Sequence, residues 1–382
     1  MKIARLGDLV EIKGGGTPDK SRSEFWDGNI PWASVKDFKS TEICSTVDSI
    51  TELGVASSAT NIIPAGSILL PTRMAVGKVA VNTVAMAINQ DLKALTPGAN
   101  VDTRYLLHAL LANASVLERQ ATGATVKGIT LEVLRGLEIP LPQLEEQRWI
   151  AAILDQADAL RRKRKYAVYQ LDELLASAFR ARFGDPENET QFGSSSPLGE
   201  LVEIKSGSTP ARENIKAWGG NIPWVKTGEV SGVKIFDTEE KVTEEGAKSA
   251  RLKVFPISTI LIAMYGQGLT RGRVGMLGVP ATVNQACSAL LPNNNINMNF
   301  LFAQLKLSYQ RLRALGRGGN QPNLNLDLVK SFSVFVPRLS EQRKFALMAD
   351  EVERQKSVYV IQLSELDFLF SSLQHRAFNG QL

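Results

Sequence analysis

The feature that most constrains the fold of this chain is a duplication within its own sequence. The segment Leu-Gly-Asp-Leu-Val-Glu-Ile-Lys at residues 6–13 recurs, with Asp changed to Glu, at residues 198–205, which is 192 positions later. Shorter motifs recur 192 or 195 positions apart: Thr-Pro at 17–18 and 209–210, Asn-Ile-Pro-Trp at 29–32 and 221–224, Asn-Gln at 89–90 and 284–285, and Glu-Gln-Arg at 146–148 and 341–343. This period is far longer than that of a solenoid repeat. The chain therefore contains two copies of a whole domain and of the segment that follows it.

Each copy has the pattern of an α/β domain of about 140 residues, a usual size for one domain. Alternating apolar residues at 10–13, and at the equivalent positions of the second copy, predict a half-buried strand followed by a turn. A helix is predicted over 102–119, with Asp102 as its N-cap, and its counterpart over about 299–315. In both copies this helix leads into a flexible loop that contains glycine.

After each domain comes a stretch without interior glycine or proline, in which apolar residues recur at alternating spacings of three and four. The first stretch runs from Leu144 to about Phe183, and Leu160, Leu171 and Leu174 are among its predicted core positions. Such spacing, sustained over several heptads, predicts a coiled coil. Because the same register recurs 195 residues later, we expect the two helices to pair with each other. The alternative is that each helix packs only on its own domain.

These patterns predict an α+β fold with two similar α/β domains, each followed by a long helix. The two helices are expected to pair as an antiparallel coiled coil with pseudo-two-fold symmetry. The predicted bounds are 1–142 for the first domain, 143–184 for the first helix, 185–196 for a polar linker, 197–337 for the second domain and 338–382 for the second helix.

The residue content argues against most catalytic and metal chemistry. The chain has two cysteines and two histidines, scattered along the sequence, whereas a structural zinc site needs about four such ligands. Neither a P-loop nor a dinucleotide-binding glycine motif occurs. We therefore expect that the chain is not an enzyme. It has no apolar run of about eighteen residues and no signal sequence, so we expect no membrane span and a cytoplasmic location.

The distribution of basic residues favours an anionic partner. Lys and Arg outnumber Asp and Glu by 44 to 39, and residues 197–337 alone hold 16 basic and 10 acidic side chains. Arg, Asn and Gln on loops can read guanine and adenine edges, although solvated surface is the alternative for each residue. Arg311 and Arg313 belong to the same basic cluster of the second copy. The predicted DNA-binding residues are Lys13, Arg73, Lys78, Lys127, Lys205, Gln267, Arg271, Arg273, Arg317, Asn320 and Gln321.

The order of these motifs, given twice, resembles the specificity subunit of type I restriction-modification enzymes over essentially the whole chain. Each domain opens with Leu-Gly-Asp/Glu-Leu, Thr-Pro and Asn-Ile-Pro-Trp. The domains close with Ile-Pro-Leu-Pro-Gln-Leu-Glu-Glu-Gln-Arg at 139–148 and Val-Phe-Val-Pro-Arg-Leu-Ser-Glu-Gln-Arg at 334–343. The last seven residues, 376–382, are also of that type.

The resemblance implies that each globular domain is a target-recognition domain that reads one half of a bipartite, asymmetric site on double-stranded DNA. It implies that the helices set the spacing of the half-sites and dock two methyltransferase subunits, which in turn recruit nuclease/translocase subunits. S-adenosylmethionine, ATP and magnesium would then be bound by those partners and not by this chain. Two alternatives are a coiled-coil scaffold protein without DNA binding and a nuclease with an unrecognised site.

Overall fold

The chain folds into two compact units. The computed structural model describes residues 2–123, 125–188, 195–266, 268–316 and 323–382. The first unit comprises Met1–Arg164 and Gln362–Leu382, and the second comprises Lys165–Ile361. Each unit therefore contains one copy of the repeated domain and part of each long helix.

The first copy is followed by a helix of 40 residues. Its strands are β1 (Ile3–Arg5), β2 (Val10–Gly14), β3 (Trp26–Ala33), β4 (Glu42–Ile43), β5 (Asp48–Ile50), β6 (Ile62–Ile63), β7 (Ile68–Pro71), β8 (Ala80–Asn82), β9 (Met86–Ile88), β10 (Leu92–Pro97) and β11 (Glu138–Pro140). The helices are α1 (Leu6–Leu9), α2 (Glu52–Ala56), α3 (Thr103–Ala112), α4 (Ala114–Gln120), α5 (Leu131–Arg135) and the long α6 (Leu144–Phe183).

Two larger sheets organise this domain. One has the strand order β2-β10-β7-β8-β4 and the other the order β5-β3-β9-β6. Strands β7 and β9 are buried at every position, which agrees with their unbroken apolar runs. The short pair β1–β11 joins the first strand of the domain to the last strand before α6.

The second copy repeats this layout. Its strands are β12 (Ser195–Pro197), β13 (Ile204–Ser206), β14 (Trp218–Val225), β15 (Lys234–Ile235), β16 (Glu240–Val242), β17 (Ile260–Ala263), β18 (Val274–Leu277), β19 (Thr282–Val283), β20 (Cys287–Leu290) and β21 (Ser333–Phe335). Its helices are α7 (Leu198–Leu201), α8 (Glu244–Ser249), α9 (Met298–Leu307), α10 (Tyr309–Ala314), α11 (Leu326–Lys330) and the long α12 (Leu339–Phe378). The sheets have the orders β13-β20-β17-β18-β15, β16-β14-β19 and β12-β21.

The repeated sequence motifs meet inside each folded domain. In the first unit the Trp32 indole N–H donates to the Gly16 carbonyl at 3.0 Å, and the Thr17 hydroxyl hydrogen-bonds Gln90 Oε1. The same contacts recur in the second unit at the equivalent positions, 192 or 195 residues later. The Thr-Pro, Asn-Ile-Pro-Trp and Asn-Gln motifs therefore hold the turn after β2 against the two sheets, which explains their recurrence structurally.

The long helices run antiparallel, as predicted. In the first unit Arg161 of α6 donates to the Asp367 carboxylate of α12 at 2.7 Å, and its guanidinium lies 4.5 Å from the Phe370 ring. In the second unit Lys356 of α12 donates to the Asp172 carboxylate of α6, also at 2.7 Å. Positions 161 and 356, and positions 172 and 367, are each 195 apart. The two units thus contain equivalent ion pairs between early and late parts of the two helices.

Each long helix also packs on its own domain. Gln147, fully buried near the start of α6, accepts from the Asp102 backbone N–H at 2.9 Å and donates to the Pro142 carbonyl at 2.9 Å. Gln342 makes the corresponding contacts in the second unit, at 2.9 and 2.8 Å. Pairing between helices and packing on the domain, treated as alternatives from the sequence, therefore occur together.

Five of the predicted coiled-coil core positions are wrong, because their side chains are exposed: Leu160, Leu174, Ala181, Leu369 and Arg376. Leu160 and Leu174 are 52% and 53% exposed, whereas Leu154 and Leu175 are buried. A helix with 3.6 residues per turn drifts by about 20° per heptad from a strict seven-residue register. The contact with the globular domain adds a second direction of burial, so a single heptad register does not describe the buried face.

The helix predicted over 102–119 is divided into α3 and α4. Asp102 is its N-cap, as predicted, and accepts from the backbone N–H groups of Arg104 and Tyr105 at 3.0 Å. The break lies at Asn113, whose side-chain amide donates to the Ala109 carbonyl at 2.9 Å. A side chain that bonds to the carbonyl four residues earlier competes with the helical pattern.

The start of the predicted linker is packed in the second unit. The Pro186 carbonyl accepts from the Ser308 hydroxyl at 3.1 Å. The Glu187 carboxylate accepts from the backbone N–H groups of Gln310 and Arg311 at 2.9 Å, at the start of α10. Residues 189–194 lie outside the described residues. Within the described ranges, every helix lacks the long uninterrupted apolar stretch that a bilayer-spanning helix requires.

Candidate nucleic-acid interface

In the first unit, two of the predicted basic residues lie on loops that pair with each other. Arg73 follows β7 and forms a bridge with Gly128, while the Met74 backbone N–H donates to the Lys127 carbonyl at 3.2 Å. Both Arg73 and Lys127 are exposed. The fold thus joins the loop after β7 to residues 125–128 in one surface, which we call the first loop pair.

The first loop pair contains a strained turn. Met74 has a positive φ of 64°, and the Ala75 N–H donates to the Arg73 carbonyl at 2.7 Å across it. A three-residue turn with positive φ is rare for a non-glycine residue, and such strain is concentrated at functional sites. The turn leaves the Met74 side chain 63% exposed.

Lys93 is a basic residue near the first loop pair that the sequence did not indicate. It lies on β10, and its Nζ donates to the Gln90 carbonyl at 3.2 Å. Burial lowers the pKa of Lys93; Asp91 opposes this shift, and the positive charge of Arg73 adds to it. Lys93 lies on β10 and Arg73 follows β7. Only the pairing of these two strands, which the sequence does not show, reveals that the two residues are close.

Three other predicted contacts have partners within their own unit. Lys13 pairs with Glu11 at 3.3 Å, and Lys205 pairs with Glu203 at 2.5 Å. Lys78 donates to the Phe38 carbonyl at 3.3 Å. All three are exposed or half-buried, so these pairs do not prevent contact with a phosphate. Their role in DNA binding stays a prediction.

In the second unit, Arg271 and Arg273 lie on the segment that connects β17 to β18. Its Gly272 has a φ of 82°, and a Cβ there would lie 3.0 Å from the Arg313 backbone nitrogen. Tyr309 of α10 donates to the Leu269 carbonyl at 2.8 Å. This loop is therefore held against α10, and Arg273 contributes to a hollow of about 370 Å³ between them.

Arg311 has an internal role. Its guanidinium donates to the Pro186 and Ser333 carbonyls at 3.0 and 3.2 Å, and it lies 4.6 Å from the Phe332 ring. It thus ties the segment after α6 to the second domain. Four other predicted contacts lie outside the described residues: Gln267, Arg317, Asn320 and Gln321.

A cleft of about 650 Å³ in the first unit is a further feature that the sequence motifs do not predict. Trp26 and Trp32 line it in an edge-to-face pair, with ring centroids 5.1 Å apart. Lys20 and Lys36 lie along it, and Met74 connects it to the first loop pair. The Asn-Ile-Pro-Trp motif marked Trp32, but only the fold brings the two lysines to the same place.

Residues 1–168 and 194–357 each match the family model described as the type I restriction modification DNA specificity domain. The chain belongs to this family. Each matched segment contains one copy of the internal repeat. The predicted family and the predicted arrangement of two domains with paired helices are therefore confirmed. The chain is the DNA sequence-specificity subunit of a type I restriction-modification system, and the scaffold and nuclease alternatives are not favoured.

Individual relatives agree with the family assignment. The chain is 25% identical over 387 residues to the type I restriction enzyme MjaIX specificity subunit of Methanocaldococcus jannaschii, covering 94% of this chain and 89% of the relative. It is 40% identical over 162 residues to the EcoR124I/EcoR124II specificity subunit of Escherichia coli, covering 41% and 40%. The crystal structure of the type I restriction-modification S subunit from M. genitalium has the same fold, with a TM-score of 0.61, 19% identity and 99% and 96% coverage.

Proposed function

We propose that each unit of this specificity subunit reads one half of a bipartite DNA target through the loops between its central strands. The observation that carries the proposal is a difference within a repeated scaffold. The loop between β7 and β8 covers residues 72–79, whereas the equivalent loop between β17 and β18 covers residues 264–273. Two domains with similar sheets but different cationic loops are suited to reading two different half-sites.

Base recognition and phosphate binding are separate tasks for these loops. Arginine can bind guanine bidentately in the major groove, whereas phosphate contacts position the protein without reading sequence. Arg73 and Arg273 are our candidates for base contacts, one in each unit. Lys127, Lys93, Lys13 and Lys205 are our candidates for phosphate contacts.

We also propose that the long helices dock two methyltransferase subunits and set the spacing of the half-sites. Contiguous patches of exposed apolar side chains mark surfaces for protein partners. In the second unit Leu174 and Ile361 are 53% and 61% exposed, and in the first unit Phe368 and Leu369 are 78% and 47% exposed. In this proposal the chain has no catalysis of its own and works in the cytoplasm. The partners bind S-adenosylmethionine, ATP and magnesium, and nuclease/translocase subunits join through the methyltransferases.

The proposal is tested with Arg73→Ala and Arg273→Ala, each assembled separately with the methyltransferase subunits. Methylation is scored on a library in which both half-sites are randomised. We expect each variant to relax recognition in one half-site, and a different one for each variant, with a loss of about 1–3 kcal/mol at one base pair. Each variant serves as the control for the other.

Two other outcomes would lead to different conclusions about the arginines. If an arginine contacts phosphate, binding to all sequences weakens together and the salt slope falls by about one. Relaxation of both half-sites by a single substitution would contradict the assignment of one half-site to each unit.

A further inference from the structure

The cleft between Trp26 and the first loop pair combines an aromatic wall with a buried polar floor. Trp26 is half-buried and Trp32 is 5% exposed, so Trp26 supplies most of the accessible ring surface and Trp32 holds it from behind in the edge-to-face pair. The volume of about 650 Å³ is within the range of roughly 300–1,000 Å³ for sites that bind small molecules.

The floor consists of polar side chains that are more than nine-tenths buried. Ser34, Asn89 and Asp91 are 7%, 6% and 8% exposed, and all three line the cleft. Gln90 donates to the Asp91 carboxylate at 3.3 Å and accepts from Thr17, so this carboxylate is held by the repeated scaffold. A carboxylate and an amide at the base of an aromatic cleft can accept from an exocyclic amino group and donate to a ring nitrogen.

The edge of the cleft is cationic. Lys20 and Lys36 are exposed and line it, and Lys36 is 3.7 Å from Asp48. A lysine at the rim of a base-sized cleft can neutralise the phosphate attached to that base. Met74, 63% exposed, lines the cleft and also the groove beside Arg73, so the cleft is continuous with the first loop pair.

The second unit has an equivalent tryptophan pair, but an arginine side chain occupies the space beside it. Arg212 occupies the position equivalent to Lys20. Its guanidinium lies 4.1 Å from the Trp218 ring and 5.1 Å from the Trp224 ring. Arg212 also donates to Glu240, at the position equivalent to Asp48, at 3.2 Å. Ala286 stands at the position equivalent to Asp91. The second unit therefore lacks the carboxylate and has an internal cation on the aromatic wall.

We propose that the cleft of the first unit binds one unpaired nucleobase that has an exocyclic amino group next to an unprotonated ring nitrogen on its Watson–Crick edge, namely adenine or cytosine. The base stacks on the tryptophan wall, and its amino group donates to Asp91. Stacking on aromatic side chains together with hydrogen bonds to the Watson–Crick edge is the usual way in which proteins hold an extrahelical base. This inference rests on the proposed DNA-reading function and adds a subsite to the first unit alone.

Two variants copy the second unit and therefore use side chains that this scaffold already tolerates. Asp91→Ala removes the carboxylate, and the double variant Lys20→Arg/Asp48→Glu introduces the cation that covers the tryptophan wall in the second unit. The full-length chain is titrated by fluorescence anisotropy against a 20-base-pair duplex with one bulged adenine or cytosine. The comparison probes are the same duplex with a bulged thymine and the fully paired duplex. Deoxyadenosine and deoxycytidine monophosphates are titrated separately by calorimetry.

We expect the natural chain to prefer the adenine or cytosine bulge over the paired duplex by roughly 5- to 150-fold, the value of one base–aromatic stack. It should also prefer this bulge over the thymine bulge, because thymine has no exocyclic amino group to donate to Asp91. Both variants should lose this preference while their affinity for the paired duplex changes by less than about two-fold. If the base comes from a free nucleotide, the monophosphates bind instead, and the same variants abolish that binding.

Equal affinity for all three duplexes without monophosphate binding overturns the base subsite. Retention of the preference in Lys20→Arg/Asp48→Glu also overturns it. Failure of the proposed DNA-reading function gives a different result, because the natural chain would then bind no duplex in a salt-dependent manner.

Discussion

At the scale of single residues, Gly15 shows how closely the segments of the repeated domain approach each other. A Cβ at Gly15 would lie 2.0 Å from the Ile88 carbonyl oxygen, and a Cβ at the equivalent Gly207 would lie 1.9 Å from that of Val283. Neither contact is with a flexible side chain, so the backbone would have to move. The glycine-rich turn, which could be mistaken for a phosphate-binding loop, thus serves close packing.

We expect Gly15→Ala to lower the free energy of unfolding of the first unit by about 3 kcal/mol or more, because it overpacks a backbone contact. The measurement is urea unfolding of the full chain. Gly14→Ser is the matched control, because the second unit has Ser206 at the equivalent position. A Gly15→Ala variant as stable as Gly14→Ser would show that the turn can move away at low cost.

His108 is a buried residue whose ionisation should affect stability. Its Nε2 lies 2.7 Å from the Asp155 carboxylate, while its buried Nδ1 has no hydrogen-bond partner among the residues that the structure describes. Burial lowers the pKa of His108, although the hydrogen bond to Asp155 opposes the shift. The folded unit therefore favours the neutral ring, because a proton on Nδ1 would have no acceptor there.

In the unfolded chain His108 has the ordinary pKa of about 6.5, so below this pH the unfolded state binds a proton that the folded state excludes. The stability that the neutral ring provides is complete above about pH 6.5 and is lost as the pH falls below it. We expect His108→Gln to have a smaller loss of unfolding free energy between pH 7 and pH 5 than the natural chain. His375→Gln, which changes an exposed histidine, is the control. Identical pH slopes for all three chains would refute this role of His108.

At the scale of elements, the long helices show where a sequence period is sufficient and where it is not. Alternating spacings of three and four predicted helices over nearly the correct residues, Leu144–Phe183 and Leu339–Phe378. The period could not predict the buried face, because each helix contacts both a partner helix and a globular domain. Leu174 and Leu175 are neighbours with opposite environments, 53% and 2% exposed.

This pair gives a direct test of the buried face. Leu175 packs in an apolar cluster with Phe179 and Phe345 in the second unit, so Leu175→Asp places an unpaired charge among apolar side chains. We expect it to lower the unfolding free energy by more than about 3 kcal/mol, and Leu174→Asp to lower it by less than about 1 kcal/mol. Thermal unfolding of both variants provides the measurement. Equal losses would mean that Leu174 is also part of the helix-packing core.

The Leu174→Asp variant has a second use, because it leaves the core intact. If Leu174 belongs to the surface that docks a methyltransferase subunit, the folded variant should co-purify with less of that subunit than the natural chain. Undiminished co-purification would assign docking to other exposed side chains of the helices.

At the scale of the whole molecule, the duplication made most of the architecture predictable. An internal repeat is found by aligning the sequence with itself, so the two domains, the two helices and their order could be predicted without any structure. The candidate site was less predictable, because its parts converge only through the fold. Lys20, Lys36, Met74 and Asp91 are far apart in sequence, and they meet at one cleft because β3, the loop after β7 and the turn before β10 lie side by side.

Arg311 shows what a basic cluster in the sequence does not reveal. Composition placed it in a basic cluster suited to DNA, but its guanidinium is used to hold carbonyl groups of its own unit. Charge and loop position indicate which residues could bind an anion. They do not show which cations are already engaged by neighbouring backbone, because that depends on contacts between segments remote in sequence.

The duplication leads to a prediction about recognition by the complete chain. Replacing residues 197–337 by a second copy of residues 5–142 should produce a subunit whose target has two identical half-sites. The transplanted domain should make the same contacts with α12 that it makes with α6, because Gln342 and Asp350 occupy the positions equivalent to Gln147 and Asp155. Gln147 holds the Asp102 backbone, and Asp155 accepts from Arg104 at 2.6 Å, so both contacts can form again.

Methylation by the complex assembled on this chimera, scored on a library with both half-sites randomised, gives the measurement. The reciprocal chimera, in which residues 197–337 replace residues 5–142, is its control and should read the other half-site twice. Because the predicted symmetry is two-fold, we expect the two identical half-sites to be inverted relative to each other. A chimera that folds and still recognises two different half-sites would show that recognition depends on the long helices or on partner subunits, and not on each globular domain separately.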